Sequence, residues 1–461
     1  MKKNILLTIG AIYSMAPIYT QAKDKKQPNI IVIYTDDHRY DAIGNNDNRV
    51  INTPNLDKLF SGALRFTNAN PAFSLSSPSR AALLTGRYGS ANGVLQLDSK
   101  LNPGEKTVAS YLKENGYITA ISGKWHIDQK PNDVGFDYHC YFYSNGAYYN
   151  RTIYNMGKIV KPEIHCDSYC ADRSVDFLKE HANDDKPFFL FHCTQLPHMD
   201  NKHTWDAKQV TKDKYNIDDM PCPENCNDDL SNKPSYLKKV RNLTQAKKYG
   251  YPDKKAIQQH ALDYYSVITE MDEFLGKVIN ELKEQNLLEN TYIFFMGDNG
   301  WMIGEHGFTS KVLPYQASTK VPFFITGPNI KKEINSSFVS NIDIAPTILD
   351  IAGIKIPENM HGKSLLPIMK NKKEKVRNNF VYEGLGTYGG SKPVLAVLSD
   401  NYRYIVTYKD KTLKEVEFEE LYDTDEDNLE MNNLINNKEY IGLIKRLRKD
   451  IDNHKLNILG L

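Results

Sequence analysis

Phe73-Ser74-Leu75-Ser76-Ser77-Pro78-Ser79-Arg80-Ala81-Ala82-Leu83-Leu84-Thr85-Gly86-Arg87 is the stretch on which the reading of this chain turns. A serine-rich loop runs into Pro78, which suits a first helical turn. Ala81 to Leu84 are good helix formers, and Gly86 stops the helix. Ser76 and Ser77 then stand at a helix N-terminus, where backbone N–H groups favour anions. Alone, a Ser/Pro cluster ahead of apolar residues reads as a cap and a turn. Its meaning comes from its surroundings.

Working outward, the flanking segments alternate between strand and helix, and each strand ends in polar residues. Asn29 to Tyr34 is a continuous β-branched run, the pattern of a strand covered on both faces, and it ends at Asp36-Asp37. Adjacent carboxylates at a buried strand end are costly unless a cation neutralises them, and a hard cation with oxygen ligands does so. Ala63 to Ala69 is a strand leading to the Ser76 loop. Tyr117 to Ser122 precedes Lys124 and His126, Pro187 to Thr194 precedes His198, and Tyr292 to Met296 precedes Asp298-Asn299, with Lys311 shortly after. A helix over about Ala256 to Gln285 separates two of these strands. The alternation predicts an α/β fold: a large, mostly parallel sheet sandwiched by helices, with its chemistry on the strand-end loops.

Residues 128–169, rich in Tyr and Asn, and 199–251, rich in Lys and Asp, lack a strong period and read as insertions over the sheet face. Past the charged stretch Lys370-Asn371-Lys372-Lys373 the pattern becomes strand-rich and closes with a helix over about Glu439 to His454. The division expected is a main domain over 23–372 and a smaller C-terminal α+β domain over 373–461.

Residues 1–22 read as a cleavable leader: Lys2-Lys3, an apolar run from Ile5 to Tyr19 and a small-residue end at Ala22. The expectation is a periplasmic or secreted protein without a membrane span. A net charge of +1, with 25% charged and 40% hydrophobic residues, gives no argument for a nucleic-acid partner. Six cysteines in an exported chain permit disulfides, Cys166/Cys170 and Cys222/Cys226 being the closest pairs, while Cys193 reads as a buried free thiol in a strand.

Ser76-x-Pro78-x-Arg80, with Leu84-Thr85-Gly86 behind it, resembles the signature of the formylglycine-dependent type I sulfatases of the alkaline phosphatase superfamily, in its serine-type form. The register singles out Ser76, the one serine four residues before the arginine. The order Asp36-Asp37, Ser76 with Arg80, Lys124 and His126, His198, Asp298-Asn299, Lys311 resembles that family throughout. Glu420-Leu421-Tyr422-Asp423 followed by Asn433-Leu434 looks like its tail.

The resemblance implies an alkaline phosphatase/sulfatase-like fold and oxidation of Ser76 to Cα-formylglycine (3-oxoalanine) by a serine-competent formylglycine-generating maturase. It implies Ca2+ held by Asp36, Asp37, Asp298, Asn299 and residue 76. Carboxylate and amide oxygens suit that ion on chemical grounds as well. Arg80 would orient residue 76, while Lys124, His126, His198 and Lys311 surround the sulfate. The hydrated aldehyde would attack sulfur with Asp298 as base. His198 would protonate the leaving oxygen, with Lys311 as the alternative, and His126 would help expel sulfate. The chain departs from the family pattern at Asp200, Gln316 and Lys320.

Sulfated oligosaccharides are the expected substrates, from an ulvan-like algal glycan or a glycosaminoglycan. Lys- and Asn-rich usage leans to the former, and the aromatic stretches Tyr141-Phe142-Tyr143 and Tyr148-Tyr149 offer faces for sugars. Two other readings fit the same scaffold: a phosphodiesterase or phosphonate hydrolase, and a non-catalytic glycan-binding relative. Mass at residue 76 and metal content separate the first from a sulfatase, and the intact polar set, with the Ser76 signature and two histidines, argues against the second.

Overall fold

The structure, a computed structural model, describes residues 26–370, 375–399 and 401–461. The expected leader over 1–22 and the division between 372 and 373 lie outside the described residues. Among the described residues a ten-stranded sheet runs, edge to edge, Glu333–Ser340, Leu64–Asn70, Phe323–Thr326, Thr291–Gly297, Asn29–Thr35, Phe188–Cys193, Ile118–Lys124, Tyr138–Phe142, Ile153–Asn155 and Lys158–Val160. Its centre is parallel: Asn29–Thr35 pairs in register with Phe188–Cys193 on one side and Thr291–Gly297 on the other. Phe323–Thr326 enters antiparallel, as do the last two edge strands.

Alternation along each central strand sorts its side chains into two cores. Ile31 and Ile33 face one layer, built on the long helix Lys254–Glu284 and the helix Cys166–His181. Ile30, Val32 and Tyr34 face the other, with Ala81, Leu83 and Leu84 of the helix Ser76–Thr85 and with Ile344 to Leu349. Burial on both faces is why these strands read as unbroken apolar runs.

A second sheet, Asn379–Gly384, Val394–Ser399, Tyr402–Tyr408 and Val416–Asp423, is antiparallel. One of its faces packs Tyr382, Ala396, Ile405 and Tyr422 against Phe73, Leu75 and Tyr315 of the main unit. The other packs Leu395, Val397 and Tyr404 against Ile444, Leu447 and Ile451 of the closing helix Ile441–His454. The sequence reading of a large α/β sheet with a smaller α+β unit is therefore what the structure shows.

Two readings need correction. Residues 128–169 are not only an insertion over the sheet face, since they supply its last three strands before the helix that starts at Cys166. Three of the aromatic residues there are structural rather than sugar-facing: Tyr141, Phe142 and Tyr148 are buried, and Tyr148 Oη donates to the His198 carbonyl at 2.8 Å, while Tyr143 and Tyr149 are half-buried. All six cysteines are free, and Cys193 is a buried thiol in its strand. No helix among the described residues is long and apolar enough to cross a membrane.

Candidate active site

The polar residues gather at one end of the sheet because the parallel strands that carry them all point the same way. Asp36 and Asp37 follow Asn29–Thr35, Asp298 and Asn299 follow Thr291–Gly297, Lys124 ends Ile118–Lys124, and His198 lies beyond Phe188–Cys193. The helix Ser76–Thr85 starts among them with Leu75 as its N-cap, and Gly86 closes it in the left-handed conformation. Ser76 is thus the first helical residue, and its burial is essentially complete.

Ser76 Oγ donates to Asp36 Oδ1 at 2.9 Å and accepts from Lys311 Nζ at 2.8 Å. Lys311 also pairs with Asp37 and reaches Asn299 Oδ1 at 3.3 Å. Lys124 pairs with the other oxygen of Asp36. Arg80, wholly buried, donates to the Lys124 carbonyl at 2.9 Å and lies 3.2 Å from Asp298 Oδ2. A buried guanidinium fixed at both ends in this way is a rigid element of the site.

Asp36, Asp37 and Asp298 bring carboxylate oxygens within 4.8 Å of one another. The Asp37 backbone N–H donates to Asp298 Oδ1 at 3.0 Å, and Asn299 Nδ2 donates to Asp37 Oδ1 at 2.7 Å. Asp37 Oδ2 is buried without a hydrogen-bond donor, and His198 Nε2 lies 3.5 Å from it. An all-oxygen set with a spare buried acceptor fits a hard divalent cation. Burial pushes the Asp37 carboxyl up to about 6, against the opposing pull of Lys311 and with help from Asp298.

His126 and His198 are both pushed well below the ordinary imidazole range, first by burial and then by the Lys124 charge, with Lys311 adding to both. His198 Nδ1 lies 2.7 Å from the Met199 carbonyl and must carry the proton there, because a carbonyl only accepts. Its Nε2 is therefore the nitrogen left without that proton, on a residue that lines the cavity beside Ser76. His126 Nδ1 has no partner. Asp37 and His126 both hold positive φ, at 60° and 59°. Such conformations cost on the order of 1–3 kcal/mol each and concentrate at functional sites.

The structure thus brings together Asp36, Asp37, Ser76, Arg80, Lys124, His126, His198, Asp298, Asn299 and Lys311. His306 lies apart, buried against Asp228 at 2.7 Å. A cavity of about 90 Å³ opens above Ser76, His126, His198 and Lys311. Its outer wall comes from residues that no motif marked, among them Arg241, Gln245, Tyr249, Trp301 and Tyr388. One signal existed: Arg241, Gln245 and Tyr249 repeat at a spacing of four, which puts them on one helix face.

Known proteins resemble this chain over most of its length. The family profile described as Sulfatase matches residues 28–354, and one described as N-sulphoglucosamine sulphohydrolase, C-terminal, matches residues 304–457. The chain is 28% identical over 517 residues to the N-acetylglucosamine-6-O-sulfatase of Bacteroides thetaiotaomicron, covering 97% of this chain and 90% of that protein. It is 28% identical over 462 residues to an ulvan-active sulfatase of Formosa agariphila, covering 95% and 83%. A solved structure in complex with its substrate D-glucosamine-2-N,6-O-disulfate has a TM-score of 0.84 at 26% identity, covering 94% of this chain and 99% of that one.

Proposed function

The chain belongs to the sulfatase family, and from that premise we propose that it releases sulfate from sulfated oligosaccharides through a residue 76 matured from serine to formylglycine, with calcium as its metal. The observation that carries this reading is the placement of Ser76 Oγ, held between Asp36 and Lys311 on the first turn of a buried helix. The matured aldehyde, hydrated, supplies two hydroxyls, one to attack sulfur and one through which sulfate leaves, whereas a serine has one.

The chain's own residues divide the remaining work. Arg80, braced by Asp298 and the Lys124 carbonyl, fixes the side chain of residue 76. Asp36, Asp37, Asp298 and Asn299 would hold the cation, which offsets the negative charge of the sulfate oxygens. Lys124, Lys311 and His126 present positive charge or N–H groups to those oxygens as the S–O bond breaks. His198 turns Nε2 toward the cavity and donates the proton to the leaving oxygen. Burial and two lysines disfavour its charged form, and the single negative charge of a bound sulfate ester offsets part of the lysines' effect.

A sugar sulfate is supported by the relatives, an N-acetylglucosamine-6-O-sulfatase and an ulvan-active sulfatase among them, and by the aromatic wall of Tyr249, Trp301 and Tyr388. Amino-sugar sulfates of the glycosaminoglycan type come first, since the substrate in the solved neighbour is a glucosamine disulfate. The sequence reading of residues 1–22 as a cleavable leader supports a periplasmic or secreted location for this activity. The test is mass spectrometry of the peptide spanning residues 69–80 from the native host. Loss of two hydrogens and reaction with a hydrazine support the reading, while a fully active enzyme with an intact serine overturns it.

A further inference from the structure

Arg241 is a charge at the mouth of the cavity that hydrolysis of a single sulfate ester does not require. It opens the helix Arg241–Lys248 and lines the same cavity as Ser76 and Lys311. Nothing acidic pairs with it among the described residues, and no carboxylate lines that cavity. The wall around it is neutral or cationic.

The side chain is nevertheless held in place. Its backbone N–H donates to the Gly389 carbonyl at 2.7 Å. Its guanidinium donates to Tyr388 Oη and lies 5.5 Å from the centre of that ring. Gly389, at φ +63°, allows this packing, since a Cβ there would stand 2.9 Å from Arg241 Cβ. The next residue ties the helix to the sulfate-binding segment: Asn242 Nδ2 donates to the Thr309 and Lys311 carbonyls at 2.8 Å each. Arg241 is thus placed in a fixed relation to Lys311, and its planar fork suits a carboxylate or a sulfate.

We propose that Arg241 is a specificity-determining residue that recognises a second anionic group on the sugar, so that the preferred substrate carries a further acid besides the sulfate ester that is cut. This rests on the sulfatase reading above. Gln245 and Tyr249, on the same helix face, supply neutral polar contacts for hydroxyls between the two anions. Tyr388 and Gly389 are positioning residues for the guanidinium.

The test uses mature full-length enzyme and three sugars with the same sulfate ester: one otherwise neutral, one with an added carboxylate, one with an added N-sulfate. Wild type is expected to favour one acid-bearing sugar over the neutral one by about tenfold or more in kcat/KM, and which one identifies the group. A charge-assisted contact of this kind is worth on the order of tenfold to a hundredfold. Arg241→Ala should erase that preference, mainly through KM. Gly389→Ala should weaken it in the same direction while circular dichroism reports an intact fold. Absence of preference in wild type, or an equal loss on all three sugars in Arg241→Ala, overturns the proposal. Failure of the sulfatase reading looks different: mature wild type would then release sulfate from none of the sugars nor from an aryl sulfate, and the subsite would fall with it.

Discussion

At the scale of single residues, His198 and Asp298 make separable predictions. A sugar alkoxide needs a proton as the S–O bond breaks, whereas an aryl oxide departs with little help. General acid catalysis contributes about 10²–10⁴-fold, so His198→Ala should lose on that order against a sugar sulfate and much less against an activated aryl sulfate. Equal losses in kcat/KM would move the acid role to Lys311, which already touches Ser76 Oγ. Asp298 contacts both Arg80 and the Asp37 backbone, while the Gln316 side chain lines a different cavity, away from Ser76. Asp298→Ala should therefore cost far more activity than Gln316→Ala. Metal removal acts on the same carboxylates: chelation should abolish turnover and lower the melting temperature. Calcium at a hundred times its dissociation constant should restore about 2.7 kcal/mol. Full activity in protein shown by elemental analysis to be free of metal would refute the assignment.

At the scale of elements, the helix Ser76–Thr85 depends on how it ends. Gly86 adopts φ +67°, and an added Cβ would meet Met360 Sδ at 3.0 Å and Pro346 Cδ at 3.3 Å. Left-handed backbone costs a residue with a Cβ roughly 1–2 kcal/mol, so Gly86→Ala should lower the unfolding free energy by about that much, seen as a lower denaturation midpoint, while kcat stays close to wild type. An unchanged midpoint would show that the helix end relaxes freely. This cap was legible in the sequence, as were the central strands and the residues they deliver, because double-sided burial leaves unbroken β-branched runs that stop at polar residues. Glu333–Ser340 was not legible: EINSSFVS is an edge strand whose polar residues hide the period. Ile153–Asn155 and Lys158–Val160 are three residues each, too short to show alternation. The cavity mouth was illegible for another reason, since Arg241, Trp301 and Tyr388 come from separate segments and meet only through tertiary packing.

At the scale of the whole molecule, the second sheet forms part of the support of the loop that carries Ser76. Tyr382, at the centre of its strand and fully buried, reaches across the junction. Its Oη lies 2.6 Å from Ser74 Oγ, accepts from the Ser74 backbone N–H at 3.2 Å and donates to the Val312 carbonyl at 3.0 Å. Ser74 is two residues before Ser76, and Val312 directly follows Lys311, so one hydroxyl ties together the two segments whose side chains meet at Ser76 Oγ. Tyr382→Phe keeps the ring and its packing against Phe73 but leaves a buried donor and a buried acceptor unpaired, a loss of about 1–3 kcal/mol. Because the tie positions both segments and contacts no leaving group, kcat should fall by the same factor on aryl and sugar sulfates, unlike the selective loss expected of His198→Ala. Denaturant titration and parallel kinetics on the two substrate types check this. A variant as stable and as active as wild type would mean that the loop holds Ser76 without the second sheet.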